Sequence, residues 1–485
     1  MSLVGCSGKE SKITTLSMLK GGKTIAVPIG TIADQFVLAK FPDAKIKYYN
    51  TALDCALAVK NKKVDALVYD KPILLNLAAK NEGLTVLPEL LYDDYYGFAV
   101  QLGNKELKNS IDTVVKDLRA NGTYDDMMRR WYPNKGNPGP MPDIKLTGKQ
   151  TLRFGTDAAN EPQAFVDGSQ KVVGFDIELA TYVAKKLNMQ LEVVNMEFGG
   201  LIPALAAGKV DMIGSGMSIT AERSKKVLFS ESYFNSGIAA LVRGDIKTDN
   251  FNTLNRLTNS FYSNIILENR YLLILDGLKT TMIITVFASL FGTLLGALIC
   301  LMRMSKRKLL STTASLYISL LRGTPILVLL MLIYYVVFAS VNINPVIVAV
   351  FAFGLNFAAY VSEMFRTSIE NIDKGQEEAG IAGGFTKIQT FLYIILPQAL
   401  RQVLPVYKGE FISLLKMTSV VGYIAVQDLT KASDIIRSRT FDAFFPLIMV
   451  TVLYLVMAWL LTLALNRIEL SVDPKRKRRT GGITR

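Results

Sequence analysis

Gly375-Gln376-Glu377-Glu378-Ala379-Gly380-Ile381-Ala382-Gly383-Gly384, with Ile394-Ile395-Leu396-Pro397 nine residues further on, is the most informative stretch of this 485-residue chain. It is polar and rich in small residues, set between long apolar runs. Small residues let a short helix seat closely in a partner's groove, and glycine makes the turn to a second helix. Upstream, Met282 to Met302 runs 21 positions without a charge, enough to cross about 30 Å of hydrocarbon. Residues 323 to 361 are also uncharged and are broken by Asn342-Ile343-Asn344-Pro345, a turn signal that divides them into spans near 323–340 and 345–361. Downstream lie an apolar run at 443–466 and a weaker span at 404–427, which must tolerate Lys408, Glu410 and Lys416. Five crossings are expected. With Arg303 to Lys308, the 362–400 segment and Lys475 to Arg479 on the cytoplasmic side, residues 1–270 fall outside. Arg437 and Arg439 then sit on the wrong side for that rule.

The quoted stretch resembles the coupling loop of ABC importer permeases, whose pattern is Glu-Ala-Ala, three residues, Gly, nine residues, then Ile-x-Leu-Pro. Glu378, Ala379, Gly384 and Pro397 match it, and Gly380 departs from it where the family has a second alanine. Arg322-Gly323-Thr324-Pro325, Tyr360 to Arg366 and Ile412 to Ser419 are similar to permeases of the polar amino acid uptake family. The resemblance implies a bacterial inner-membrane, multi-pass protein. It implies a permease homodimer or a related permease partner, and a separate cytoplasmic ATP-binding subunit that uses ATP and Mg and docks on the loop. The chain itself has no Walker pattern. Gly21-Gly22-Lys23-Thr24 lacks the required upstream glycine, because Ser17 stands there.

Composition agrees with a chain in two parts. Half of it is apolar and a fifth charged, with mean hydropathy +0.29. The net charge of +14 lies largely beside the apolar runs, so positive-inside topology accounts for it better than nucleic-acid binding. Three cysteines and no histidine leave no Cys/His metal site, no disulfide framework and no histidine base. No catalytic residue and no cofactor of its own is expected. Leu3-Val4-Gly5-Cys6 resembles a lipoprotein lipobox, making Cys6 a candidate lipidation site, although neither a charged region nor an apolar one precedes it.

Before residue 270 the sequence reads as soluble α/β, with strand–helix alternation on both sides of the Pro/Gly-rich stretch 133–142. Ala56 to Val68 and Ala204 to Ile213 share a weak repeat: a helix ends, a basic residue and Val-Asp follow, and a buried strand begins. Gly174-Phe175-Asp176, Phe198 to Leu205 and Thr220-Ala221-Glu222-Arg223 resemble the opening lobe of extracytoplasmic amino-acid-binding proteins of the Venus-flytrap type. Gly22 to Leu87 resembles their second lobe, and Tyr96 to Trp131 their returning stretch. The order is rotated with nothing duplicated, so one circularly permuted bilobed module is expected, with its new ends at the hinge, ahead of an all-α type I permease. Two truncated binding domains in tandem are the rival arrangement. The boundaries are 1–20, an N-terminal segment; 21–133, second lobe and return; 134–149, linker; 150–245, opening segment; 246–270, linker; 271–470, permease; and 471–485, a basic tail.

Capturing a zwitterion needs a cation for the carboxylate and a carboxylate for the ammonium. Arg223 suits the first, since guanidinium grips carboxylate with two charge-assisted hydrogen bonds. Asp70, in Val68-Tyr69-Asp70-Lys71-Pro72, suits the second. Taken singly, each is more often a helix cap or a surface ion pair. Backbone donors at Gly30 and Thr31 add to the carboxylate site, and by the resemblance Gly216 and Ser218 bind the same group. Asp157 matches a position that reads the ligand side chain, and Phe198 packs over the ligand. The stacking aromatic that the family often has three residues after Asp157 is Asn160 here. A polar amino acid, glutamine first and basic amino acids second, is expected; Asp157 disfavours glutamate. The alternative from another class is a ligand-gated channel with a similar bilobed module, in which the pore interrupts the module and no coupling loop exists.

Overall fold

The computed structural model describes residues 12–29, 31–132, 138–245, 258–339, 341, 343–440, 442 and 444–472. Cys6, Gly30 and the basic cluster Lys475 to Arg479 lie outside the described residues. The chain divides into two compact units, one made of Met1–Leu273 with Ser433–Leu447 and the other of Ile274–Ala432 with Ile448–Arg485.

The first unit has two lobes, each built on a five-stranded sheet. In the first lobe the order is Lys45–Tyr49, Thr24–Pro28, Ala66–Asp70, Ile238–Arg243, Leu84–Val86. The first three run parallel, and Ile238–Arg243 enters antiparallel to both its neighbours. The second lobe repeats this plan as Met189–Asn195, Gln150–Thr156, Met212–Ile213, Ala99–Val100, Leu228–Phe229, with Ala99–Val100 the antiparallel strand. Each sheet thus receives one strand from the chain segment that mainly builds the other lobe. The two crossings pair as a short ribbon, Tyr95–Tyr96 against Phe234–Asn235.

Both cores are closed. Ile25, Leu67 and Leu241 are fully buried in the first. In the second, Trp131, Ile111 and Leu118 from residues 105–131 pack with Phe154, Leu179 and Val183. The helix Phe175–Lys186 follows Gly174, whose φ of +138° and whose missing Cβ, which would lie 2.2 Å from the Gln163 carbonyl oxygen, leave no other residue type room there.

Four sequence expectations need correction. Residues 13–19 do not stand apart from the lobe expected to begin at 21: Ile13, Leu16 and Leu19 are buried in the first-lobe core, where an apolar turn is worth more inside than out. The 150–245 stretch does not stay in one lobe, because Ile238–Arg243 supplies the fourth strand of the other sheet. Its end meets the start of the described chain away from the hinge: Lys12 Nζ lies 2.6 Å from Asp245 Oδ2, beyond the far end of Ile238–Arg243. Nor is 258–270 plain linker, since it is helical almost throughout.

In the second unit, Tyr271–Arg303, Pro345–Glu370 and Phe445–Ser471 are each long and apolar enough to cross a membrane. Gly292 and Gly354 let the first two meet closely; a Cβ on Gly292 would lie 2.7 Å from the Gly354 carbonyl oxygen. The expected span 323–340 is instead half of a bent pair, Lys308–Gly323 and Ile326–Val337, with a bend of 109°. Pro325 forbids continuous helix there, and the second half, at 1.5 Å per residue, reaches only about 18 Å. The expected span 404–427 begins earlier, as Leu396–Met417. Its Lys408 is accommodated by Asn466 Oδ1 at 2.8 Å and Glu469 Oε2 at 3.3 Å.

Candidate functional site

A narrow cleft between the lobes, partly open to solvent, is lined by Thr31, Ile32, Ala33, Tyr69, Asp70, Phe198, Gly216, Ser218, Arg223 and Ile238. Six of the eight residues anticipated for the ligand site line it. Gly30 is not among the described residues, and Asp157 is set behind the wall.

Asp70 ends the strand Ala66–Asp70 and stands as N-cap of the helix Lys71–Lys80. Pro72 occupies the first turn, and the Asp70 carboxyl makes no capping bond, so it is free to face the cleft. It is only 5% exposed. Burial, and next Asp94, push its pKa well above the ordinary carboxylate range. Asp94, at the crossing between lobes, is likewise raised by burial, while the Ser218 hydroxyl donates to it at 2.9 Å and favours its ionised form. Two carboxyls thus share one dry corner, which an ammonium group would neutralise.

Opposite them, Arg223 opens a short helical turn after Thr220, whose hydroxyl accepts the Arg223 amide at 3.1 Å. Its guanidinium donates to the Ser218 carbonyl at 3.1 Å and lies over the Phe198 ring at 5.5 Å. These contacts hold the fork in place at the cleft wall. Burial lowers its pKa from the usual guanidinium value, and Tyr69, Asp94 and Asp70 counter that. Thr31 donates its hydroxyl to the Pro28 carbonyl at 2.8 Å, which fixes the turn that leads into the helix Ala33–Lys40.

Asp157 is buried, and its carboxylate accepts the Phe198 amide at 3.2 Å. Its own amide and carbonyl both engage the Ser215 hydroxyl, to which Asn160 also donates. In this arrangement it braces Phe198 and Ser215. Gly216 adopts φ +58° with Tyr96 close behind it, and its amide donates to Asp176 at 2.8 Å. Asp176 also accepts from Tyr233 at 2.8 Å. It is fully buried, and burial pushes its pKa up to about 7.

Asp94 is not among the residues singled out in the sequence, and Asp176 stands there only as part of the Gly174-Phe175-Asp176 motif, with no role in the site. For Asp94 the available signal is the Asp93-Asp94 doublet just before Tyr95-Tyr96-Gly97, and an aspartate is seldom buried unless it is paired.

In the second unit the coupling-loop residues form two short helices. Asp373 caps Lys374–Ala382 through the Gly375 amide at 2.7 Å. Gly384 turns the chain at φ +88°, and Thr386 and Gln389 cap Lys387–Thr390 reciprocally. Gly380 has a local reason: a Cβ there would lie 2.6 Å from Thr390 Cγ2 and 2.9 Å from Ile394 Cδ1. Glu378, Ala379 and Gly384 are exposed, together with Ile381, Phe385, Ile388 and Tyr393. Pro397 lies in the first turn of Leu396–Met417.

Comparison with known proteins agrees with both units. Residues 152–403 match the family of bacterial extracellular solute-binding proteins, family 3. The L-cystine transport system permease protein TcyB of Bacillus subtilis is 39% identical over 199 residues, which is 41% of this chain and 85% of that protein. A candidate glutamine transport system permease protein, GlnP of Rickettsia bellii, is 33% identical over 41% of this chain and 93% of its own length. An amino acid ABC transporter crystallised with histidines is 35% identical over 46% of this chain and 99% of its own, with a TM-score of 0.39. The chain belongs to the amino-acid ABC transporter permeases and carries a family 3 solute-binding module. It is a transport protein rather than an enzyme; ATP hydrolysis belongs to a separate subunit, and its apolar helices make it an inner-membrane protein.

Proposed function

We propose that this chain captures a polar L-amino acid outside the membrane and passes it through the permease to which it is fused. Glutamine is the first candidate, and basic amino acids the second. The observation that carries this reading is that Arg223 and Asp70, from opposite lobes, line one cleft. Arg223 would take the ligand carboxylate, assisted by Ser218, Gly216 and the turn at Thr31, and the Asp70 and Asp94 pair would take the ammonium. A zwitterion bridging them draws the lobes together. Asp157, behind Phe198, would tune the side-chain end from a distance. The glutamine assignment is supported by the name of the Rickettsia relative; the cystine name of the Bacillus relative points to other polar amino acids. The cluster of carboxyls specifically favours the second reading, a basic side chain.

The module's order is read as a circular permutation, supported by two closed lobes and by the meeting of Lys12 with Asp245. Five crossings, with the module outside, fit three long helices plus two bent pairs. Two permease halves pair, as a homodimer or with a related permease, and the ATP-binding subunits seat on Glu378 to Pro397. Closed lobes favour one permease state and ATP-driven closure of the partner subunits exposes the outer side, which is alternating access. Calorimetric titration of the full chain in lipid nanodiscs with each of the twenty amino acids tests the proposal. Saturable one-site binding of glutamine or another polar amino acid is expected, and no binding by any of the twenty refutes it.

A further inference from the structure

Arg437 and Arg439, which sit awkwardly with positive-inside topology, have partners in both lobes. They lie on the short helix Leu429–Thr440, which follows one membrane-associated helix and precedes the next in the chain. From Ser433 onward this segment forms one compact unit with the binding module. Arg437 is paired with Asp54, on the first-lobe helix Ala52–Lys60, and with Asp434 on its own helix at 3.1 Å. Arg439 is paired with the second-lobe Glu161 at 3.5 Å and with Glu268 at 3.0 Å, and lies over the Phe165 ring at 4.6 Å. Glu161 is also reached from the first lobe, by Lys80 at 3.1 Å, and Glu268 is held by Arg270 at 2.7 Å. The arginine side chains are 8% and 12% exposed, and Glu161 is 5% exposed.

We infer that Arg437 and Arg439 form a two-point clamp that reads the separation of the lobes: one grips the first lobe through Asp54, the other the second through Glu161, two positions apart on one short helix. Both grips hold together only at one lobe spacing, because a rigid helix cannot follow two carboxylates that move apart. Lobe opening must break one pair and strip a largely buried arginine of one of its two carboxylate partners, Asp54 or Glu161, leaving only Asp434 or Glu268, which is costly. The helix therefore binds the drawn-together lobes in preference to open ones. By reciprocity, whatever closes the lobes also fixes the helix, which passes the state of the cleft along the backbone to the adjoining membrane segments. This rests on the proposed capture of an amino acid and assigns its signal to named residues.

The test uses the full chain in nanodiscs on a Cys6→Ser background, with spin labels at the exposed positions Lys47→Cys and Glu192→Cys, one in each lobe. Without any ligand, Arg437→Ala/Arg439→Ala is expected to shift the label distances toward larger separations, and Asp54→Arg/Arg437→Asp to restore the original distribution. With L-glutamine and L-arginine as probes, the double alanine variant is expected to bind about tenfold more weakly than wild type, within the usual range of coupling between sites, and the swapped pair to recover. Unchanged distances in the double alanine variant, or a swap that leaves the lobes apart, would overturn the clamp. Failure of wild type to bind any amino acid would instead count against the transport ligand, while the ligand-free distances still decide the clamp.

Discussion

Lys12 and Asp245, 233 positions apart in the chain, face each other at 2.6 Å. Both are largely exposed, so the pair adds little stability; its interest is positional. A backbone running from Asp245 into Lys12 would restore the lobe order of an unrotated binding protein. Placing residues 150–245 ahead of Lys12, with a direct junction, is expected to give a module that folds and keeps the ligand affinity of the wild-type chain. Tandem truncated domains would make the same reordered chain lose binding, and calorimetry separates the two.

Arg223 is fixed by the Ser218 carbonyl and by the Phe198 ring, so its removal should cost binding more than folding. Loss of two charge-assisted bonds of about 1.5 kcal/mol each predicts roughly 100-fold weaker binding for Arg223→Ala. Arg223→Lys is expected to recover only part, because an ammonium cannot offer the paired fork. Titration calorimetry gives the affinities, and thermal melting checks that the fold is retained.

Asp176 makes stability depend on pH. Its folded pKa is raised to about 7, against about 3.9 in an unfolded chain. Below about pH 4 both states carry the proton. Between there and about pH 7 the folded state holds a proton that the unfolded state has released, so stability falls as pH rises, and it levels off above that window. The melting temperature of wild type relative to Asp176→Asn should therefore decline from pH 4.5 to 7 and then stay flat. A difference that rises with pH would contradict the burial of this carboxyl.

Gly384, at φ +88° and with no atom near its absent Cβ, is held there by backbone conformation alone. Gly384→Val should cost about 1–2 kcal/mol at the turn and displace the two short helices. With Glu378→Ala as a second variant, ligand-stimulated ATP hydrolysis by the reconstituted transporter should fall sharply while ligand affinity is unchanged. A ligand-gated channel would be indifferent to both substitutions in conductance measurements.

Periodicity made the α/β alternation and the long apolar helices legible, and motif resemblance made the lobes and the coupling segment so, because each depends on neighbours close in sequence. Asp70 and Arg223 were readable for the same reason, each sitting at a strand end or after a Thr-containing turn. What stayed hidden depends on distant packing. Asp94 gains its place only when the crossing folds against Ser218, and Asp176 only when Gly216 arrives to donate to it. The bend at Pro325 was visible as a proline but not as the end of a span. Arg437 and Arg439 violated a topology rule that treats loops as solvated, and their buried carboxylate partners come from residues hundreds of positions away.

The union of receptor and conduit in a single polypeptide, continuous through Tyr271, also changes the kinetics of uptake. A free receptor must find its transporter by diffusion and competes with others for the landing place. If the fused module delivers its ligand as proposed, every conduit owns a receptor at fixed stoichiometry, and uptake is expected to be first order in transporter without any need for a secreted receptor.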